Sequence, residues 1–357
     1  MKIVSVVGAR PQFIKCALLS KELRKGADEV LVHTRQHYDE NMSAVFFKEL
    51  EIPEPEYNLE VGSGSQTGRM LQGVEEILQI EKPDYVVVYG DTNSTLAGAL
   101  AAAKLHLPVA HVEAGLRSFN KKMPEEINRI LTDQVSSLLF CPTQTAVQNL
   151  ERENIREGVH LVSDIMIDAA YHYGEKAETG SQVLERLRLK SKTYALATIH
   201  RAENADDLEH FSSILSTLDK IAREILPVVI PLHPRSYKQM KSNRLNFPSL
   251  QIVEPVSYLD MLRLEKNAKA ILTDSGGVQK EACVFQVPCI TLRNETEWVE
   301  TVEAGWNVLA GAQEETIVRS LKKIKKGSYL PNGYEAKEKD TAKKITEILV
   351  QQFSMAR

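Results

Sequence analysis

Cysteine is scarce and scattered. The chain has four, at Cys16, Cys141, Cys283 and Cys289, and no two form a C-x-x-C pair. Zinc sites and dithiol redox centres need close pairs, so no metal is expected, and free thiols in a reducing compartment are. Long apolar runs are absent too: nothing approaches the roughly 20 residues that cross a bilayer. There is no basic excess, since 44 Lys and Arg face 48 Asp and Glu for a net charge of −4. That argues against nucleic acid as a partner. It leaves room for a small anionic ligand, whose pocket needs only a few local cations or backbone N–H groups. Gly/Ser-rich or Pro-rich linkers, low-complexity segments and short repeats are also missing. The opening MKIVSVVGARPQ holds one Lys and an apolar run that stops at Gly8. It reads as a first β-strand rather than a signal peptide, and a cytoplasmic location is expected.

What is present is a βαβ rhythm, played twice. At 357 residues and 43% hydrophobic content, the chain suits two α/β domains. Val- and Ile-rich runs at Ile3–Val7, Glu29–His33, Tyr85–Tyr89, Val109–Val112 and Leu138–Phe140 read as buried strands. Helix-period stretches at Ile14–Arg24, Gly68–Ile80, Asn93–Leu105, Pro124–Val135 and Thr143–Glu153 lie between or after them. This is the pattern of a parallel sheet covered on both faces. A strand at Val159–Val162 and a boundary near Asp164–Ala170 follow. The rhythm restarts with strands at Tyr194–Thr198, Val228–Pro231, Gln251–Val253, Ala270–Thr273, Cys289–Leu292 and Asn307–Leu309. Helices fall at Leu208–Ile225, Tyr258–Lys266 and Val278–Phe285, and a last one spans about Glu338–Phe353. The predicted fold is α/β: two Rossmann-like, doubly wound domains facing a cleft. The predicted divisions are 1–166, 167–336, and a C-terminal helix at 337–357 that crosses back to the first domain.

Ligands of such sheets bind beyond the carboxyl ends of the strands, and polar clusters stand there in both halves. Strand one runs into Gly8-Ala9-Arg10-Pro11, with Lys15 a helical turn later. Tyr89 leads to Gly90-Asp91-Thr92, and Val112 to Glu113; Glu125 and Glu126 come soon after. In the second half Thr198 leads to His200-Arg201-Ala202-Glu203-Asn204, and Pro231 to His233. Thr273 leads to Asp274-Ser275-Gly276-Gly277 and a helix expected from Val278, with Glu281 in its first turn. A Gly pair at a helix N-terminus admits phosphate to free N–H groups, and a nearby carboxylate can accept two ribose hydroxyls. Taken singly, each residue fits an ordinary role. Asp91 or Glu113 could be helix caps or loop carboxylates, one of Glu125 and Glu126 could oppose a helix dipole, as could Glu281, and His37 or His111 could be structural. It is the recurrence of acids, bases and cations at strand ends in both halves that packing does not explain.

The stretches GARPQFIK (Gly8–Lys15), YGDTNSTLAG (Tyr89–Gly98), HVEAGLRS (His111–Ser118), MPEEINR (Met123–Arg129), HRAEN (His200–Asn204) and TDSGGVQKEA (Thr273–Ala282) carry a resemblance. Over nearly the whole chain the sequence resembles the non-hydrolysing UDP-N-acetylglucosamine 2-epimerases. GARPQFIK, HRAEN and TEWVE (Thr296–Glu300) are more similar to the branch acting on UDP-2,3-diacetamido-2,3-dideoxyglucuronate; the UDP-GlcNAc branch more often has GTRPE, HRREN and TERPE. The resemblance implies a glycosyltransferase-B-like fold, a homodimer, a UDP-sugar substrate and no nicotinamide cofactor. The last agrees with the lack of G-x-G-x-x-G after the first strand. It also implies a route: anti elimination of UDP across C1–C2, then syn re-addition with the proton delivered to the other face of C2.

Carried over by position, the resemblance makes Asp91, Glu113, Glu125 and His200 the catalytic candidates. Arg10 and Lys15 fall near the pyrophosphate and sugar, Ser275, Gly276 and Gly277 in the phosphate turn, and Glu281 at the ribose. Met261 ends the segment Pro255–Met261, which matches a uracil-binding loop, and His233 is a further UDP-site candidate. Proton transfers at two faces of C2 need two groups; Asp91, Glu113 and Glu125 share the candidacy. Three features depart from the family. Arg35 and Ser163 stand where Gly is usual, which raises the question of a positive φ, and the loop Gly62–Gln66 is about three residues short. Alternative readings are a glycosyltransferase using a UDP-sugar, a non-catalytic UDP-sugar-binding regulator, and a hydrolysing epimerase.

Overall fold

The computed structural model describes residues 1–36, 46–59, 61, 66–205, 207–323, 325–335 and 340–355. His37, residues 62–65 of the short loop and Glu338 lie outside the described residues. The chain divides into two compact units, Met1–Ala169 with Lys337–Arg357, and Ala170–Ala336.

The first unit is built on a seven-stranded parallel sheet of order β3-β2-β1-β4-β5-β6-β7. Its strands are β1 (Lys2–Val7), β2 (Asp28–His33), β3 (Tyr57–Asn58), β4 (Tyr85–Tyr89), β5 (Val109–Val112), β6 (Leu138–Cys141) and β7 (Val159–Leu161). Successive side chains alternate between the faces of a strand. Val4, Val6, Val30, Val32, Val86 and Val88 therefore join Val74, Ile77, Leu78, Ala99 and Ala102 of two helices in one core. The intervening Ile3, Leu31 and Val87 are buried as well. With both faces covered, the central strands β4 and β6 read as unbroken apolar runs. The C-terminal helix Thr341–Met355 belongs to this unit, and the Thr341 amide donates to Asp168 Oδ2 at 3.0 Å.

The second unit has a six-stranded parallel sheet of order β10-β9-β8-β11-β12-β13. The strands are β8 (Ala195–Thr198), β9 (Val228–Pro231), β10 (Gln251–Val253), β11 (Ala270–Thr273), β12 (Cys289–Thr291) and β13 (Asn307–Leu309). Ala195, Ala197, Val228, Ile230, Ala270 and Leu272 pack on one face. Leu196, Val229 and Ile271 pack on the other. In both units the strand order reverses beside the first strand, between β1 and β4 and between β8 and β11. Loops leaving neighbouring strands on opposite sides of such a reversal open a crevice at their carboxyl ends. Each unit thus shows the doubly wound α/β class that the sequence pattern predicts.

Some element limits differ from expectation. The first helix is Arg10–Leu23, four residues earlier than predicted, because Pro11 sits in its first turn and Gln12 caps it. Gln12 Oε1 accepts the Gly8 and Ala9 amides at 2.8 and 3.0 Å. The helix expected from Val278 is Gly276–Val284, with Ser275 as its N-cap. Glu281 is therefore in the second turn, not the first. A helix, Ile165–Gly180, runs through the segment expected to hold the domain boundary. Pro234–Ser242, Val299–Glu303 and Glu314–Lys323 are helices that periodicity alone did not reveal; each is short and largely polar.

Candidate functional site

In the first unit the strand ends are tied by buried side chains. Gln12 Nε2 donates to the Tyr89 carbonyl and to Thr95 Oγ1, both at 3.0 Å, which joins the loop after β1 to the end of β4. Gly8 is required there, because a Cβ would lie 1.9 Å from Thr34 Oγ1 and 2.2 Å from Ser94 Oγ. Arg10 opens the helix with its guanidinium 4.4 Å from the Phe46 ring centroid. One turn on, the buried Lys15 ammonium forms an ion pair with Glu113 Oε2. Gly90 packs against this pair: a Cβ would stand 2.9 Å from Lys15 Nζ and 3.9 Å from Glu113 Oε2, and φ is +63°.

Glu113 itself has φ +73°, a conformation unusual for a residue with a side chain. Such strain costs on the order of 1–3 kcal/mol and clusters at functional sites. Arg35 and Ser163, where the sequence suggested that Gly had supplied a positive φ, have φ +57° and +82°. The glycine conformation is kept without glycine. Ser163 and Glu113 line one small pocket with Val112, Asp164 and Thr341.

Asp91 is held by the helix Pro124–Val135. Its carboxylate pairs with Arg129, and Asn128 Nδ2 donates to its carbonyl at 2.9 Å. Glu125 precedes Arg129 by four residues, so it shares that helix face, and it is half-buried. Its neighbour Glu126 is the structural one of the pair. It is buried, accepts the Ser118 and Phe119 amides at 2.9 Å, and bonds Arg129 at 3.0 Å. His111 is a core residue, as read from the sequence. Its ring nitrogens stand 2.7 Å from Asp133 Oδ1 and 2.7 Å from the Gly90 carbonyl, so it braces the turn that carries Asp91. Burial pushes the Asp133 pKa up, but His111 and Arg117 outweigh it and hold the carboxyl below its usual range.

In the second unit the turns after β8 and β11 share one carboxylate. Asp274 is fully buried and accepts the His200 amide at 3.1 Å, the Arg201 amide at 3.1 Å and Asn204 Nδ2 at 3.1 Å. His200 Nδ1 lies 2.9 Å from Asp274 Oδ1, and the ring remains largely exposed. Burial raises the Asp274 pKa; His200 and the hydrogen bonds from Asn204 and Arg201 more than offset this, and the net direction is down.

Ser275, Gly276 and Gly277 open the helix Gly276–Val284, and the Gly276 and Gly277 amides have no hydrogen-bond partner among the described residues. They form the N-terminal donor set of a helix. Glu281 is buried and accepts the Tyr258 hydroxyl at 2.8 Å. Burial and Glu281 push the Tyr258 pKa well up. The segment Pro255–Met261 is a loop only as far as Ser257, which caps the helix Tyr258–Asn267. Met261 lies inside that helix, with its amide spent on the Ser257 carbonyl at 2.9 Å. His233 is exposed at the start of the helix Pro234–Ser242, its carbonyl accepting the Tyr237 amide at 2.9 Å.

Motif matching singles out the ends of these arrangements and misses their supports. Gln12, Asn128 and Arg129 lie inside the matched stretches, yet their roles depend on contacts 35 or more residues away in sequence. Trp298 and Lys280 are also placed by the fold. Lys280 Nζ sits 3.9 Å over the Trp298 ring, beside Gly276.

Comparison with known proteins decides the family. A match to the family described as UDP-N-acetylglucosamine 2-epimerase runs over residues 21–350. The chain belongs to the UDP-N-acetylglucosamine 2-epimerase family. It is 52% identical to a UDP-N-acetylglucosamine 2-epimerase homolog of Methanococcus maripaludis, over 98% of this chain and 99% of that one. It is 50% identical to the UDP-2,3-diacetamido-2,3-dideoxy-D-glucuronate 2-epimerase of Pseudomonas aeruginosa, over 90% and 92%. The crystal structure of the Methanocaldococcus jannaschii UDP-GlcNAc 2-epimerase in complex with UDP-GlcNAc and UDP aligns with a TM-score of 0.92 at 44% identity, covering 98% of this chain and all of that one. The glycosyltransferase-B-like class inferred from the 2-epimerase family motifs is the class of these neighbours. Among the described residues no helix is long and apolar enough to cross a membrane.

Proposed function

We propose that this family member inverts carbon 2 of a UDP-linked 2-acetamido sugar without hydrolysing it. The observation that carries the reading is Glu113, bent to φ +73° and paired with Lys15 against the Gly90–Asp91 turn. Packing gives no reason to strain a part-buried acid onto a cation. Proton abstraction at a fixed carbon does, because reaction depends on placement within about an ångström.

In this proposal Asp91, Glu113 and Glu125 share two proton transfers. One carboxylate takes the C2 proton while the C1–O bond breaks. The C–H electron pair forms the C1=C2 double bond, and UDP leaves as the anion. UDP then re-forms the bond to C1, and a second acid delivers a proton to the opposite face of C2. Positioned acid–base groups contribute roughly 10²–10⁴-fold each. Arg10, His200 and the Ser275–Gly277 helix N-terminus stabilise the departing diphosphate. Glu281 and the segment ending at Met261 hold the nucleoside, and His233 supports the same end. The enzyme is read as a cytoplasmic homodimer that uses neither metal nor nicotinamide.

Between substrates, GARPQFIK, HRAEN and TEWVE together with the Pseudomonas relative support the 2,3-diacetamidouronate nucleotide. UDP-GlcNAc is supported by the Methanocaldococcus relative. Incubation of the enzyme in D₂O with each nucleotide, followed by NMR at C2, tests the proposal. Deuterium at C2 with both epimers present and UDP retained is the expected result, faster for the diacetamidouronate. Net UDP release would indicate hydrolysis, and a C2 proton that exchanges in neither nucleotide would defeat the epimerase reading.

A further inference from the structure

The chain has two tryptophans, and the fold treats them differently. Both are buried, at 3% exposure for Trp298 and 4% for Trp306. A buried indole N–H normally finds an acceptor. Trp306 has one, the Tyr329 carbonyl at 2.7 Å. Trp298 uses its backbone amide on Thr296 Oγ1 at 3.1 Å and its carbonyl on Thr301 Oγ1 at 2.7 Å. Its indole Nε1 has no acceptor among the described residues. That N–H lies at the opening of the nine-residue helix Gly276–Val284, 3.1 Å from where a Gly276 Cβ would stand. There it joins the Gly276 and Gly277 amides, which also lack partners among the described residues.

The surroundings favour an anion at this point. Lys280, buried to 2% exposure, places its ammonium 3.9 Å from the centroid of the Trp298 ring. A cation over the ring draws charge from the indole and strengthens its N–H as a donor. Both carboxylates near the turn are already engaged: Asp274 by His200, Arg201 and Asn204, and Glu297, which is 4.0 Å from the same Gly276 Cβ position, by a cation. That cation is the buried Arg293, whose Nη1 and Nη2 reach the two Glu297 oxygens at 3.2 and 3.3 Å. Gly276 completes the arrangement, since a methyl group there would press on the indole.

We infer that the Trp298 indole N–H is a donor to the diphosphate of the nucleotide, acting beside the Gly276–Gly277 amides. The inference rests on the proposed UDP-sugar reading and adds a ligand-binding residue to it. It gives the Trp of TEWVE a function: a neutral directional donor, polarised by Lys280, where the other branch more often carries the Arg of TERPE.

The test is made on the full chain labelled with ¹⁵N-tryptophan, its two indole signals assigned with Trp298→Phe or Trp306→Phe. Saturating UDP should move the Trp298 indole proton downfield and leave Trp306, already bonded to Tyr329, in place. Trp298→Phe keeps an aromatic ring at the position over Lys280 and removes the N–H together with the five-membered ring that carries it. It should weaken UDP binding about tenfold, on the order of 1.4 kcal/mol, as loss of a hydrogen bond to a charged group does. A Trp298 signal unmoved by saturating UDP would overturn the inference alone. So would a folded Trp298→Phe that binds UDP within twofold of the parent. A parent protein that does not bind UDP at all would overturn the inference and the functional reading together. Should Trp298→Phe fail to fold, the spectrum of the parent protein decides.

Discussion

Replacing Gly90 with Ala isolates the strained acid from the rest of the molecule. Two effects follow from one methyl group. Gly90 has φ +63°, and a Cβ in the left-handed region costs roughly 1–2 kcal/mol. The same Cβ would stand 2.9 Å from Lys15 Nζ, closer than real contacts allow, so the ammonium must move by several tenths of an ångström. A lysine tip on the surface would give way freely. Lys15 is buried and paired with Glu113, so its shift drags or breaks that pair. A misplacement near one ångström at a reacting group costs roughly 10²-fold in rate. The expected Gly90→Ala protein is folded, about 1–2 kcal/mol less stable in urea, and slower by up to about two orders of magnitude in C2 deuterium exchange. Its affinity for UDP should match the parent, because the Ser275–Gly277 turn lies in the other unit. Exchange at near-parental rate in folded Gly90→Ala would refute the argument that the Lys15–Glu113 placement matters. Equal loss of UDP binding would show that the damage is not local.

Other outcomes follow from the same contacts. Glu113→Gln keeps the shape and removes the charge; turnover should fall by roughly 10²–10⁴-fold with UDP affinity retained, measured by calorimetry beside the exchange assay. Ser163→Gly and Arg35→Gly should each stabilise the fold by roughly 1 kcal/mol, because φ of +82° and +57° suits glycine; a loss of stability in urea would mean that the side-chain contacts outweigh the strain. Asp274 has a folded pKa below the ordinary carboxylate value, so between the two values the unfolded chain binds the proton more readily. Its contribution to stability is therefore complete above the unfolded value of about 3.9 and is lost as pH falls through the lower folded value. Asp274→Asn should flatten that acid limb of the stability curve, and a limb unchanged by the substitution would locate it elsewhere.

Much of the fold was legible in the sequence because both sheet faces are buried. Every strand that packs on both sides must be apolar throughout, so runs such as Tyr85–Tyr89 and Ala270–Thr273 announce themselves, with limits that match β4 and β11. Elements stabilised by something other than an apolar face were not visible. The first turn of Arg10–Leu23 depends on the Gln12 side chain capping Gly8 and Ala9, and Pro234–Ser242 buries little. The candidate site shows the same division. Which residue types stand at strand ends, and that Arg35 and Ser163 stand where glycine is usual, came from the sequence, since position along a parallel strand already marks its carboxyl end. Tertiary structure alone decided their partners: Lys15 on Glu113, Arg129 on Asp91, Asp274 on two turns, and the Trp298 indole on Gly276. These contacts join residues 22 to 98 positions apart, and pairing at that distance is set by sheet order and helix packing, which no local pattern encodes.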